Sequence, residues 1–372
     1  MKSSETIKLA ILGTRGIPAC YGGFETFAEE LALRLIDKGI EVTVFCEAGE
    51  QPQPPDYQGI KLEYLPSPEC GPLTTILFDM RCLWHARKGY DVVYMLGYGA
   101  TPFCLIPRIW GSRVWLNVDG IEWARAKWSP PAKAYFKIME WLSTIIPHRI
   151  IADATGIKGH LAQRHRRLPP CSVIAYGAPV LDREPDPRLL QKWGLQKNQY
   201  YLIVCRLEPE NHIREIIEGF NQGDSPYPLI VVGNDKADYP YVKSLLSLAS
   251  EKVRFIGTVY DKEQINALRF HASAYFHGHS VGGTNPSLLE ALGCGNLTIA
   301  HDNIFNREVI GQEGFFFQRS EEIKTHMDTI ESLSDEQRMG LAEGARTRIR
   351  ENYNWDSIAQ QYLNLIKEDW KK

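Results

Sequence analysis

The chain has 372 residues, more than one domain usually takes and enough to bury two separate cores. Apolar residues make up 44% and charged residues 23%, with 30 Gly and 22 Pro, a balance that excludes a disordered, fibrous or membrane-spanning protein. Basic residues number 42 against 45 acidic ones, a net charge of −3, which excludes a whole-protein basic field of the kind that drives nonspecific nucleic-acid binding, so any polyanion must be met locally.

From the start of the chain, short β-rich runs alternate with helical stretches. Residues 1–13 carry lysine and a short apolar run without a small-residue cleavage pattern, and read as a strand at 7–12 rather than a signal peptide. A helical apolar face of Phe24, Phe27, Leu31 and Leu35 follows, then strands at 42–46, 60–65, 92–95, 114–118, 150–152 and 173–175. The spacing between these runs accommodates crossover helices, the βαβ rhythm of a parallel sheet. Tyr176-Gly177-Ala178-Pro179 and the polar, Pro-rich run from Asp182 to Pro187 have the composition of a linker, with a boundary near residue 180. The rhythm resumes with strands at 201–204, 229–232, 253–256, 274–276 and 297–300 and a long helical tail from about Glu321. The expected fold is α/β, two Rossmann-like domains facing a cleft: residues 1–178, residues 179–354, and a final helix at 355–372 packing back toward the N-terminal domain. Ligands in such domains bind beyond the carboxyl ends of the strands. The eight cysteines, including Cys20, lie far apart with no C-x-x-C pair, and read as buried thiols in a reducing compartment. No run of about 18 apolar residues occurs, the length that would cross a membrane.

Three loops at strand ends could carry chemistry. The first runs from Gly13 to Gly23 and holds Gly13-Thr14-Arg15-Gly16 and the pair Gly22-Gly23, where glycines let a ligand approach and a helix N-terminus offers N–H groups to an anion. It does not fit G-x-G-x-x-G, yet Glu47 ends the second strand where a ribose-binding carboxylate would sit, so an NAD-dependent oxidoreductase and a plain surface turn stay open at this point. The second is Cys205-Arg206-Leu207-Glu208-Pro209-Glu210-Asn211, which puts an arginine where it can grip a diphosphate, or else pair with Glu208 or Glu210. The third is Gly282-Gly283-Thr284-Asn285-Pro286, a loop of backbone amides leading into a helix whose dipole points at it; Glu290, one turn in, can accept hydrogen bonds from ribose hydroxyls or serve as a capping carboxylate.

Arg206 in R-L-x-P-E-N, the run Val253-x-Phe255-x-Gly257-x-Val259 and the segment Gly282-Gly283-Thr284-Asn285-Pro286-Ser287-Leu288-Leu289-Glu290 resemble the nucleotide-sugar domain of retaining glycosyltransferases of family 4, of GT-B architecture. The N-terminal Gly-Thr-Arg-Gly-Ile-Pro-Ala-x-Tyr-Gly-Gly-Phe-Glu-Thr is similar to a branch that includes rhamnosyltransferases of bacterial surface polysaccharides. The resemblance implies a hexosyl transfer, with dTDP-rhamnose as donor and a lipid-diphosphate-linked saccharide as acceptor, and glucosyl, N-acetylglucosaminyl and mannosyl transfer as alternatives; a non-catalytic nucleotide-sugar-binding protein is a further one. It implies a donor site of Gly22, Gly23, Arg206, Asn211, Val259, Gly283, Thr284, Asn285 and Glu290, with Arg206 on the diphosphate and Glu290 on the ribose. Two positions depart from the family pattern: Asn211 stands where many relatives have lysine, and Gly282 where many have a glutamate that touches the donor sugar.

Beyond the fifth strand, Asp119 can orient or deprotonate an acceptor hydroxyl, or cap the next segment, while Glu122 and Arg125 would contact acceptor or phosphate groups. The catalytic set is then Asp119, Arg206 and Glu290. No D-x-D motif or His/carboxylate cluster appears in the strand-end loops, so neither a metal nor a cofactor is expected, the donor being the substrate. Between Trp123 and Arg167, nine Lys or Arg residues stand against Glu140 and Asp153, interleaved with Trp123, Trp128, Tyr135, Phe136 and Trp141. That composition suits an anionic membrane interface, or else a solvated basic face over packed aromatics; it lacks any nucleic-acid-binding module. The expected location is cytoplasmic, at the inner face of the cell membrane.

Overall fold

The computed structural model describes residues 6–19, 22–49, 53–236 and 238–370. The chain divides into two compact units. The first comprises Met1–Ala124, Trp128–Tyr176 and Trp355–Lys372, and the second Arg125–Lys127 and Gly177–Asn354.

In the first unit the elements run β1 (Lys8–Leu12), α1 (Gly23–Ile36), β2 (Glu41–Glu47), β3 (Asp56–Tyr57), β4 (Ile60–Leu65), α2 (Thr74–His85), β5 (Val92–Leu96), α3 (Leu105–Ile109), β6 (Arg113–Val118), α4 (Pro130–Ser143), β7 (Arg149–Ala152), α5 (Thr155–Arg164) and β8 (Cys171–Val173). The strands form one sheet in the order β3-β4-β2-β1-β5-β6-β7-β8, parallel throughout except for the β3–β4 hairpin. Every residue of β5 is buried, because helices cover both faces of a parallel sheet and leave no polar side to alternate with. The last strand falls two residues before the expected 173–175, and β3 is too short for a periodic signal.

The second unit continues with β9 (Tyr201–Val204), α6 (Ile213–Asn221), β10 (Leu229–Val232), α7 (Pro240–Leu248), β11 (Val253–Phe255), α8 (Lys262–Phe270), β12 (Ala274–His277), α9 (Pro286–Gly293), β13 (Thr298–His301), α10 (Ile304–Ile310), β14 (Gly314–Phe317), α11 (Ser320–Ser332) and α12 (Asp335–Asn352). Its six-stranded sheet is parallel, in the order β11-β10-β9-β12-β13-β14. Alternate residues of β9 feed two cores, Tyr201 and Ile203 on one face, Leu202 and Val204 on the other. Strand order reverses at β1/β5 in one unit and at β9/β12 in the other, and such switch points open a crevice at the carboxyl ends of the strands. The sequence reading missed β14, a Gly-Phe-Phe-Phe run, and the helical tail it began near Glu321 is broken by the Ser334–Gln337 capping box before the separate final helix.

The last helix, α13 (Trp355–Trp370), belongs to the first unit. Tyr362 shares a 2.9 Å hydrogen bond with the hydroxyl of Tyr94, and its ring packs on Phe27 of α1. Near its end the buried Asp369 accepts from Trp115 Nε1 at 2.8 Å and from Arg149 Nε and NH2 at 3.0 and 2.8 Å. A bidentate pair of this kind offsets its own desolvation only while both partners are present. Replacing Asp369 with alanine takes the bidentate partner from the buried Arg149 guanidinium and leaves it to Glu368 at 3.4 Å and Ser172 Oγ at 3.0 Å; a loss approaching about 3 kcal/mol is expected in the denaturant unfolding of the protein, and a loss below about 1 kcal/mol, the range of an exposed pair, would contradict this account.

Candidate functional site

In the second unit the loops after β9 and β12 are joined through Asn211. The chain leaves β9 through Cys205 and Arg206, makes a 3-10 turn at Pro209–Asn211, and enters α6 from His212, which takes a left-handed conformation (φ 45°). Asn211 is buried; its Nδ2 donates to the Arg206 carbonyl at 2.6 Å, and its Oδ1 accepts from His279 Nδ1 at 2.8 Å. That acceptor fixes the His279 tautomer, and burial, reinforced by His277, Arg125 and Arg206, holds the ring well below its ordinary pKa and hence neutral. The backbones come so close that a Cβ on Gly278 would lie 1.9 Å from the Asn211 carbonyl oxygen, which only glycine allows. One step further, Ser280 N donates to the Glu210 carbonyl at 3.0 Å, and His212 lies between Ser280 Oγ (3.0 Å) and Glu215 (3.4 Å), stacked on His301 with centroids 4.1 Å apart.

Arg206 is exposed and, among the described residues, makes no ion pair. Of the acidic residues that follow it, Glu208 lies 3.8 Å from Lys127 as well as in the field of Arg206, and Glu210 lies 3.8 Å from Arg125. Burial opposes the Glu208 charge, but Arg206 and Lys127 outweigh it and hold that carboxyl below the usual range; burial and the adjacent Glu208 push Glu210 up. Arg125 is buried and groups with the second unit, where it meets Glu210.

Gly282, at φ 141°, has His279 Nε2 3.0 Å from where a Cβ would be, so the loop turns where side chains are strained. Gly283 and Thr284 are buried, and Asn285 caps α9 by accepting from Ser287 N at 3.0 Å. Ser287 Oγ donates to the Val204 carbonyl at 2.9 Å, tying α9 to β9. Because Asn285 is the cap, Glu290 is not; its carboxylate, about one-third exposed, is held 2.6 Å from the buried Arg269 of α8. Arg269 had no sequence signal beyond being a charge on an otherwise buried helical face. Val259, beyond β11, is half-buried against the core that holds Ile230 and Tyr275.

In the first unit, Gly22 and Gly23 open α1, while Cys20 and Tyr21 lie outside the described residues. Two buried carboxylates of α1 organise the preceding loop: Glu25 accepts from Arg15 N at 2.9 Å, and Glu29 accepts from Ala19 N at 2.6 Å and from Tyr57 OH at 3.0 Å. Two amides of the loop ahead of α1 are thus taken by the chain's own carboxylates. Beyond β6, Asp119 is half-buried and accepts from Tyr176 OH at 3.4 Å. Glu122 donates its amide to Tyr98 OH at 2.8 Å and accepts from Trp128 Nε1 at 3.1 Å.

Part of the basic, aromatic stretch at 123–167 is consumed internally. Glu140, 1% exposed, receives Trp123 Nε1 at 2.7 Å, His160 Nε2 at 3.0 Å, Arg164 Nε at 3.0 Å and His165 Nε2 at 3.1 Å. Burial alone would raise this carboxyl, but the hydrogen bonds from His160, Trp123 and His165 outweigh it and hold it at about 2.

Among the described residues no group of three or more His, Cys, Asp or Glu side chains is placed to hold a metal ion, and no helix is long and apolar enough to cross a membrane. Residues 7–179 match the family model described as "Domain of unknown function (DUF1972)", and residues 186–354 the one described as "Glycosyl transferases group 1". The O-antigen chain mannosyltransferase B of Escherichia coli is 22% identical over 202 residues, 52% of this chain and 53% of that protein. The chain spans about half the length of the curated relatives it matches. Among solved structures, sucrose-phosphate synthase from Thermosynechococcus elongatus superposes with a TM-score of 0.79 at 16% identity, over 97% of this chain and 98% of that one. Anabaena HepE in complex with UDP-glucose gives 0.76 at 18% identity, over 97% and 100%. The fold is thus the two-domain α/β fold with parallel sheets found in GT-B glycosyltransferases.

The depressed Glu140 carboxyl predicts a pH dependence. Its stabilisation is fully present above the ordinary glutamate value of 4.5 and is lost as pH falls toward about 2. Urea unfolding of the protein and of Glu140→Gln should differ by on the order of 3 kcal/mol near neutral pH and converge as pH drops below about 4; a gap that is independent of pH would contradict the cluster.

Proposed function

We propose, from the match of residues 186–354 to the group 1 glycosyltransferase model, that this protein transfers a hexose from a nucleotide-activated donor to a hydroxyl of a saccharide acceptor. The observation that carries the reading is Arg206, an exposed arginine without an ion pair at the carboxyl end of β9, beside the amide loop that opens α9. An exposed guanidinium that makes no ion pair among the described residues is available to a diphosphate, which it can hold bidentately.

In this mechanism the bond between the anomeric carbon and the diphosphate oxygen breaks, the acceptor oxygen bonds to that carbon on the face the diphosphate leaves, and the acceptor proton passes to the departing diphosphate. The anomeric configuration is thereby retained. Arg206 and the amides of Gly283 and Thr284 take up the charge that develops on the leaving group. Asn211 acts through its neighbours, fixing the Arg206 carbonyl and the His279 ring, and Asn285 holds the loop to α9. Glu290, aimed by Arg269, accepts from the ribose hydroxyls. Asp119 of the first unit orients the acceptor hydroxyl, with Glu122 beside it, and Gly22, Gly23 and Val259 give close backbone or apolar contact to the donor. These roles require no metal ion.

We read the donor as dTDP-rhamnose. The Gly13–Thr26 motif resembles the rhamnosyltransferase branch, and Gly282 leaves no carboxylate where a donor sugar's hydroxyls would meet one, which suits a deoxysugar. A mannosyl or glucosyl donor is the second reading, supported by the mannosyltransferase relative and by the UDP-glucose held in HepE. The acceptor is read as a lipid-diphosphate-linked saccharide at the cytoplasmic face of a membrane.

Arg206→Ala should lower sugar transfer by roughly 10²–10³-fold, the effect of removing one preorganised charge-stabilising donor, with an unchanged melting temperature because the side chain is exposed. Wild-type transfer rates in this variant with every nucleotide sugar tested would overturn the assignment.

A further inference from the structure

The large apolar side chains left exposed are concentrated on one part of the first unit. Trp84 on α2 (50% exposed), Ile109 and Trp110 at the end of α3 (73% and 46%), and Ile138, Trp141 and Ile145 on and just beyond α4 (53%, 52% and 54%) have no apolar cover. The three helices meet: α2 packs on α3, and both α2 and α4 pack on the 3-10 turn Thr101–Cys104 that leads into α3. The Trp84 and Trp110 rings stand edge to face, 6.4 Å apart, and the three-then-four spacing of Ile138, Trp141 and Ile145 makes a single stripe along α4.

The charges on these helices are sorted by sign. Their carboxylates are Asp79 in α2 and Glu140 in α4, with none in α3, and both are buried. Burial pushes the Asp79 carboxyl up to about 8, so it is largely uncharged at neutral pH. The basic groups on or next to the same helices, Arg81, Lys88, Arg108, Lys133 and Lys137, remain half-buried or exposed. The three helices themselves therefore present tryptophan, isoleucine and cations outward, and no carboxylate.

We propose that α2, α3 and α4 together form a membrane-docking face whose occupant is an anionic lipid bilayer, the aromatic and aliphatic side chains entering the headgroup boundary and the lysines and arginines meeting acidic headgroups. A second copy of the chain suits the same surface poorly, because an isologous contact would set cations against cations. The sequence pointed only to 123–167; half of the apolar anchor lies on α2 and α3, which the fold brings alongside α4. The inference deepens the reading of a membrane-borne acceptor and rests on it for its use, while lipid binding is measured without any donor.

Cosedimentation of the full chain with vesicles of phosphatidylcholine, with and without phosphatidylglycerol, tests it. Binding should require the anionic lipid and weaken as salt rises past about 0.1 M, where charges are screened beyond about 10 Å. Trp84→Ala with Trp110→Ala, and separately Lys88→Glu with Lys133→Glu, should each weaken binding at least tenfold, at about 1 kcal/mol for each basic group removed from the surface, while melting temperature and transfer to a soluble acceptor mimic stay as in wild type. Equal binding to neutral and anionic vesicles, binding unaffected by the α2–α3 variant, or a concentration-dependent dimer that the same variants dissolve would each overturn the proposal without touching the transfer reaction. Vesicle binding without any sugar transfer would instead leave the docking face standing and remove the function.

Discussion

A buried neutral side chain, Asn211, holds the second unit's strand ends in working order. Its two hydrogen bonds reach the loop after β9 through the Arg206 carbonyl and the loop after β12 through His279, and the bare Cα of Gly278 lets the two backbones close. Strands β9 and β12 are neighbours at the point where strand order reverses, where a crevice opens beyond their carboxyl ends. A lysine at 211 would have brought a second cation; asparagine instead satisfies a buried donor and a buried acceptor, and leaves the Arg206 guanidinium as the charge turned outward. Of the acidic residues that follow that arginine, Glu210 meets Arg125, and Glu208 meets Lys127 and the field of Arg206 itself.

The sheet strands were legible because a parallel sheet covered on both faces reads as apolar runs, and Val-Val-Tyr-Met-Leu in β5 is the plainest of these. The position of Arg206 followed from the end of such a run. Asn285 was placed correctly at a helix start, but the partner of Glu290 was not legible, because Arg269 lies on another helix and no local pattern links the two. Nor could spacing show that Glu25 and Glu29 bend back onto the first loop, since a glutamate in a first helical turn looks the same whether it faces solvent or its own backbone. The strand β14 was missed although it is as long as β9, β10, β12 and β13, and no local pattern announced the contact of Arg125 with Glu210.

Charge is distributed with the same economy. The net −3 hides a first half, up to residue 180, with 20 basic and 17 acidic residues and a second with 22 and 28. Within the first half, Glu140 gathers His160, Arg164 and His165 into an internal cluster, and Asp369 neutralises Arg149. On α2, α3 and α4 the cations stay outward while the two carboxylates, Asp79 and Glu140, are buried.

The central claim is that the crevice beyond β9 and β12 binds a nucleoside-diphosphate sugar. Thermal melting of the protein with dTDP-rhamnose, UDP-glucose, UDP-N-acetylglucosamine and GDP-mannose side by side tests it most directly, because a ligand that binds only the folded state raises the melting temperature, by about 2.7 kcal/mol of added stability at a hundred times its Kd. The account predicts a clear rise with dTDP-rhamnose above the other three, and none for that sugar when Arg206 is alanine. No rise with any nucleotide sugar, or a rise with NAD alone, would contradict it.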